Sequence, residues 1–250
     1  MTTPDLRALL PHGSTPAVLR LLGGDRPHVD LDGTRRELPE GSRRLVAYLG
    51  VHDGWADRRT AAGALWPYGN DKRAAGNLRS AVWRLRGAGI EVMESDKSTL
   101  RLRSGVLVDA TLVADWAARL IEGRAGAADL DVRAWSPALP ELLHGWSDEW
   151  VVFPRERLRQ RALHGVEALS RHLVRAGRIA AGIEAAAAAV AVDPLRESAQ
   201  RVLVEAQIAA GNLGAVYRIF HEYRALVSGA LNVVPGRAFT RMVDAARGVG

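Results

Sequence analysis

The stretch Asp71-Lys72-Arg73-Ala74-Ala75-Gly76-Asn77-Leu78-Arg79-Ser80-Ala81-Val82-Trp83-Arg84-Leu85-Arg86 decides how the chain is read. On a helical wheel, Ala74, Leu78, Ala81, Val82 and Leu85 fall together on one side. Lys72, Arg73, Gly76, Ser80, Trp83 and Arg84 fall opposite, with Asn77, Arg79 and Arg86 on the flanks. One face is made to pack and the other presents hydrogen-bond donors to a broad target. A helix fits the major groove of DNA, where arginine can bond O6 and N7 of guanine together. Gly76 costs a helix interior roughly 1 kcal/mol against alanine. It is either a tolerated residue or one that lets DNA approach the backbone. Trp83 is expected to pack on a neighbouring element, with contact to a sugar or base methyl as the alternative.

Working outward, Ile90–Met93 and Thr99–Arg103 alternate around the polar tip Glu94-Ser95-Asp96-Lys97-Ser98, which predicts a β-hairpin. Leu100 and Leu102 face inward, so Thr99, Arg101 and Arg103 face outward, with Lys97 at the tip. Lys72 and Lys97 are the two lysines of the chain, and both fall on this basic surface. Upstream, Ser42 is read as the cap of one helix carrying Leu45, Val46 and Leu49 inward. Asp57 is read as the cap of another carrying Ala61, Ala64, Leu65 and Trp66 inward, ended by Pro67. Before these, Val18–Leu22, His28–Leu31 and Arg35–Leu38 read as short strands, with a tight turn at Asp32-Gly33. Residues 1–15 hold Pro4, Pro11 and Gly13 without periodicity and read as a flexible tail. The expected fold class is an α+β winged helix-turn-helix over residues 16–108, an order of elements that resembles the winged helix of response regulators. An all-α, tetratricopeptide-like domain is expected over residues 109–250.

Charge agrees with that division. Of the net +6, residues 1–108 carry 17 Lys and Arg against 12 Asp and Glu, whereas the remainder carries 17 against 16. A basic surface of this kind is a footprint for polyanions, although a solvated basic face has the same composition. The 250 residues contain no cysteine, which excludes disulfides, thiol nucleophiles and thiolate-bound zinc. No apolar run has transmembrane length and no signal-peptide pattern opens the chain, so a cytoplasmic location without membrane attachment is expected.

From Asp109 onward the pattern is helical, with helices predicted near 109–122, 148–175, 179–191, 194–210, 213–229 and 236–247. Pro137, Pro140 and Gly145 predict an intervening loop. Asp193-Pro194 reads as a helix start. Ala176-Gly177 and Ala210-Gly211 lie 34 residues apart, the tetratricopeptide spacing.

Signals for enzymes are poor. There is no G-x-x-x-x-G-K loop and no H-E-x-x-H. His164, Glu167 and His172 share a predicted helix, but the two histidines stand about two turns apart and read as exposed. Asp148 and Glu149, adjacent on a helix, do not face each other and read as residues of its N-terminal turn. No catalytic activity, cofactor or metal is expected.

Together the motifs resemble the Streptomyces antibiotic regulatory protein family. The matching pieces are Ala64-Leu65-Trp66-Pro67, then Asn77 to Arg86, Trp150, Arg155-Glu156-Arg157-Leu158, Ala176-Gly177-Arg178, Asp193-Pro194-Leu195-Arg196-Glu197 and Leu231-Asn232-Val233-Val234-Pro235. The resemblance covers roughly residues 17–247. It implies a sequence-specific transcriptional activator that binds double-stranded DNA at promoter direct repeats and recruits RNA polymerase holoenzyme, with two copies able to pair on the DNA. It also implies the small, stand-alone type, without nucleotide-binding or sensor modules. The residues expected to meet DNA are Lys72, Arg73, Asn77, Arg79, Ser80, Trp83, Arg84, Arg86, Lys97 and Arg101. Two other readings stay open: a helical interaction module whose winged helix does not bind DNA, or a small-molecule sensor in the C-terminal domain.

Overall fold

The computed structural model describes residue 9 and residues 16–24, 26–131 and 141–247. The expected tail, residues 1–15, lies outside the described residues except for residue 9, as do Pro137 and Pro140 of the expected loop. The chain forms two compact units: residues 1–114 with 140–159, and residues 115–139 with 160–250.

In the first unit, β1 (Val18–Arg20), β2 (His28–Leu31) and β3 (Thr34–Glu37) form an antiparallel meander. Asp32 and Gly33 both take positive φ, at 49° and 74°, which is the two-residue turn that matches strand twist. Three helices follow: α1 (Glu40–Val51), α2 (Arg58–Leu65) and α3 (Asp71–Gly87). The predicted hairpin forms as β5 (Met93–Ser95) and β6 (Thr99–Leu102), but its first strand is shifted: Ile90–Val92 lie outside it, and Glu94 and Ser95, expected in the turn, pair with Arg101 and Leu100. Two strands were not predicted. β4 (Trp55–Asp57) pairs with β6, and β7 (Leu107–Val108) runs parallel to β1, giving sheet orders β3-β2-β1-β7 and β4-β6-β5. The core joins Leu45, Tyr48, Leu49, Leu65, Leu78 and Leu100 from α1, α2, α3 and β6.

One capping expectation is corrected here. Ser42 does not cap α1, because the helix already begins at Glu40 behind Pro39. Ser42 is instead fully buried inside α1, and its hydroxyl donates to the Ala81 carbonyl of α3 at 2.7 Å. A serine hydroxyl can satisfy a neighbouring helix as well as its own N-terminus. Asp57 does cap α2, its carboxylate accepting from the Arg59 and Thr60 N–H groups at 2.9 Å each.

The segment 141–159 adds to this unit. Leu143 N donates to Leu21 O at 2.8 Å, and Leu22 bridges Leu142. Trp150 meets Tyr48 edge to face at 5.3 Å between ring centroids. Asp148 pairs with Arg44, a role beyond the helix-terminal one expected for it. The carboxylate of Asp109, the first residue of α4 (Asp109–Ile121), accepts from the Leu21, Leu22 and Ala110 N–H groups. It thereby ties the end of β1 to the start of the helix.

The second unit is helical. Its elements include a short helix, α5 (Ala127–Leu130), then α6 (Glu149–Arg175), which starts in the first unit, and α7 (Ile179–Val192), α8 (Glu197–Ala209), α9 (Leu213–Leu231) and α10 (Arg237–Arg247). Gly177 and Gly211 turn the chain between α6 and α7 and between α8 and α9, with φ of 75° and 70°. The 34-residue echo is thus repeated in the backbone. Asp193-Pro194 does not start a helix, which corrects that expectation. Asp193 closes α7, its carbonyl accepts from Arg196 N at 3.1 Å in a turn, and α8 begins at Glu197. The turn frees Arg196 to reach the buried Glu167 at 2.6 Å, where Ser198 also donates at 2.7 Å. His172, expected exposed, is half-buried with Nε2 3.0 Å from Leu120 O, whereas His164 is exposed as expected.

Candidate nucleic-acid interface

α3 is built as its sequence demands. Asn70 accepts from Arg73 N at 2.9 Å and caps it, and the buried residues are Ala74, Leu78, Ala81, Val82 and Leu85, the five of the predicted stripe. Burial of that stripe leaves Lys72, Arg73, Arg79, Ser80, Trp83, Arg84 and Arg86 exposed and Asn77 half-buried. Trp83 is 74% exposed, so the expected packing on a neighbouring element is not found. A tryptophan in that position offers a flat apolar face with an N–H at its rim. Gly76 is half-buried at ordinary negative φ, and a Cβ added there would meet only the end of Arg79, at 3.8 Å. Neither the backbone nor the packing of the chain requires glycine at that position.

The flanks of α3 differ. On one side Arg86 donates to Ser95 Oγ of β5 at 3.2 Å, so this arginine leans toward the hairpin. On the other, the Arg84 guanidinium lies along the first turn of α1, where a Cβ added at Gly41 would collide with it. Glycine at position 41 therefore gives Arg84 its resting place.

The hairpin is held rigid at its tip by Asp96. Its carboxylate accepts from Ser98 N at 2.8 Å, Thr99 N at 2.7 Å and Thr99 Oγ1 at 2.6 Å. These donors hold the Asp96 carboxyl well below the usual carboxylate range, the Thr99 hydroxyl first among them. Lys97 is exposed beside it. Arg101 is exposed on β6, opposite Glu94 on β5 and Trp55 on β4, with its Nε 3.9 Å from the Glu94 carboxylate.

A group missed in the sequence lies between helix and hairpin. A cavity of about 1060 Å³ is lined by Arg58, Arg59 and Thr60 of α2 together with Arg79 of α3 and Lys97 of the tip. Strand β4 causes this, because its pairing with β6 sets the start of α2 against the hairpin: Arg58 N donates to Ser98 O at 2.8 Å. Asp57 and Asp71 also line the cavity, and Arg59 reaches Asp71 at 3.4 Å. Asp57 is held ionised, its carboxyl lowered chiefly by the Thr60 N–H. The sequence did carry a signal. Two arginines in the first turn of a helix oppose its dipole, which is tolerable where an anion lies outside. The arrangement offers guanidinium and ammonium groups from three elements to an extended polyanion and an amphipathic indole to a flat apolar group.

No helix among the described residues is long and apolar enough to cross a membrane. Among the described residues there is no group of three or more His, Cys, Asp or Glu placed to hold a metal ion.

Residues 124–247 match the bacterial transcriptional activator domain. The fold is similar to that of Mycobacterium tuberculosis EmbR, solved in complex with a low-affinity phosphopeptide, with a TM-score of 0.71 and 18% sequence identity. The likeness covers 94% of this chain and 65% of EmbR, so the chain spans less than two-thirds of that protein. No curated protein sequence matches the chain at a significant level. Residues 124–247 thus carry a bacterial transcriptional activator domain, and the fold of the chain, a winged helix ahead of that domain, is like that of EmbR.

Proposed function

We propose that the protein binds double-stranded DNA sequence-specifically, with α3 in the major groove and the β5–β6 hairpin as a wing on the backbone. The observation that carries this reading is the segregation on α3. Every apolar residue of its stripe is buried, while Arg73, Ser80 and Trp83 stand on the opposite, exposed face. These three, with Asn77 and Arg84 beside them, read base edges; Arg84 must first leave its place along α1. Lys72, Arg79, Arg86, Lys97 and Arg101 contact phosphates, joined by Arg58 and Arg59, whose position in the first turn of α2 suits a phosphate outside it. Winged helices of the Streptomyces antibiotic regulatory protein family, which the motifs resemble, bind direct repeats, so two copies bind head to tail about one helical turn apart at a promoter. The protein works in the cytoplasm, with residues 16–108 as the DNA-binding module and residues 109–250 as the activating module that recruits RNA polymerase holoenzyme.

The test is a gel shift on DNA from upstream of the protein's own reading frame, followed by selection from random duplexes. A shift that weakens steeply with salt, and a selected direct repeat, are expected. Inserting about five base pairs between the repeats puts the copies on opposite faces and should abolish cooperative binding. Absence of any shift at low salt would overturn the reading.

A further inference from the structure

The basic surplus of the second unit is gathered at its end. From Leu213 onward the sequence has five arginines against Glu222 and Asp244, whereas the rest of that unit, residues 115–139 and 160–212, has nine arginines against nine acidic residues. Between α9 and α10 lies a cavity of about 670 Å³ lined by Phe220, Val234 and Pro235, with Arg224, Arg237 and Arg241 around them. Among the described residues none of these three arginines makes an ion pair. Arg237 is the first residue of α10, with Arg241 one turn later, so both add positive potential at the end where the helix dipole is already positive. At the turn, the Glu197 carboxylate is committed to Gly236 N at 2.7 Å.

The apolar part is equally unusual. Val234 is 75% exposed, and Leu231 and Val233 are exposed beside it in the sequence. The turn that presents them is fixed. Asn232 ends α9 in the left-handed conformation, and Glu197 holds Gly236. Phe220 contacts the fully buried Phe239 edge to face at 5.3 Å, which anchors the floor to the core. A rigid apolar floor ringed by unpaired guanidinium groups selects an occupant with both features.

We infer that the α9–α10 groove is a docking site for an acidic segment of a partner protein, one apolar side chain of which enters the cavity between Phe220 and Val234. The carboxylates on either side of that residue pair with Arg224, Arg237 and Arg241. Charge complementarity favours an acidic partner, and the apolar floor favours a peptide over a nucleic acid backbone, which has no apolar side chain to insert. The site lies entirely in the helical unit and does not depend on DNA binding by α3.

The test uses the full chain and a fluorescein-labelled peptide of alternating Asp and Glu around one central Phe, followed by fluorescence anisotropy. Binding that weakens about tenfold when the Phe is replaced by Ser, and about tenfold in an Arg224→Gln, Arg241→Gln double variant, is expected. Both arginines are exposed, so the melting temperature of the variant should match that of the wild type, and its gel shift should be unchanged. A Val234→Ser variant should lose peptide binding without loss of fold. Random-sequence duplex DNA should not displace the peptide. The inference is overturned if the wild type fails to bind the peptide, if the Ser peptide binds equally well, if the variants bind as the wild type does, or if DNA competes. Loss of the gel shift in the wild type would overturn the DNA-binding reading and leave this one standing.

Discussion

At the scale of single residues, α3 separates what holds the fold from what meets a target. Leu78 is 2% exposed in the core of the first unit. Leu78→Ala should cost about 2–5 kcal/mol, read by denaturant unfolding; no loss would mean that the stripe is not the packing face. Gly76 makes the opposite prediction. Because an added methyl meets only the tip of Arg79, Gly76→Ala should raise stability by about 0.5–1 kcal/mol through helix propensity. If DNA approaches the backbone there, the same change should weaken binding, and a variant that is more stable with undiminished affinity would remove that role. Arginine and lysine divide differently. Arg73→Ala should cost roughly 1–3 kcal/mol on the selected site and relax one or two base positions. Lys97→Ala should weaken all sequences alike and lower the salt slope by about one unit. Site selection on both variants decides the matter, and reversed outcomes would exchange the roles of helix and wing.

At the scale of elements, legibility followed the length of each pattern. The stripe of α3 repeats over about three turns, so its five buried residues were readable, and so was the face they leave outward. The Asp32-Gly33 turn was readable because the backbone there needs positive φ. Strands β4 and β7 were not, because three and two residues carry no period, and each exists only through pairing with a strand far along the chain. Missing β4 hid the α2 part of the candidate site, since it is β4 that sets Arg58 and Arg59 beside the hairpin. Ser42 and Asp193 were misread for a shared reason. A capping residue type marks a helix start only where tertiary contacts leave it that role; Ala81 O claims the Ser42 hydroxyl, and the turn over residues 193–196 that brings Arg196 to Glu167 delays the next helix to Glu197. Trp83 was misread because a wheel gives direction but not what stands opposite. Asp57 shows the rule working. Asp57→Ala should lower the melting temperature of the first unit and loosen the seat of Arg58 and Arg59. Unchanged unfolding would mean that pairing of β4, not the cap, fixes the start of α2.

At the scale of the whole molecule, the first unit is closed by a charge that sequence composition could not single out. Asp109 is fully buried, with three backbone N–H donors on its carboxylate. A fragment ending at residue 108 would leave Leu21 and Leu22 without that acceptor and would lack Leu142, Leu143 and Trp150, so it should be markedly less stable than the first unit within the full chain. Burial dominates the titration of the group and pushes its carboxyl up to about 6 from 3.8, against the N–H donors and Arg20, which lower it. The folded state therefore holds this proton more tightly than the unfolded chain does. Between about pH 4 and pH 6 the folded form is protonated and the unfolded form is not, so stability from this group is greatest below the unfolded value and falls as pH rises through 6. The full span corresponds to about 3 kcal/mol. Asp57 and Asp129 shift the other way and lose stability on acidification, so the wild-type profile alone mixes opposite slopes. Asp109→Asn isolates the effect. Its amide still offers one oxygen, but its NH2 faces donors, so the variant should be less stable at every pH. The gap between wild type and variant should be widest near pH 4 and narrow toward pH 7, as measured by denaturant unfolding of both proteins across that range. Parallel profiles would show that the three N–H donors, and not burial, govern the carboxylate, and that Asp109 closes the unit in its charged form at every pH.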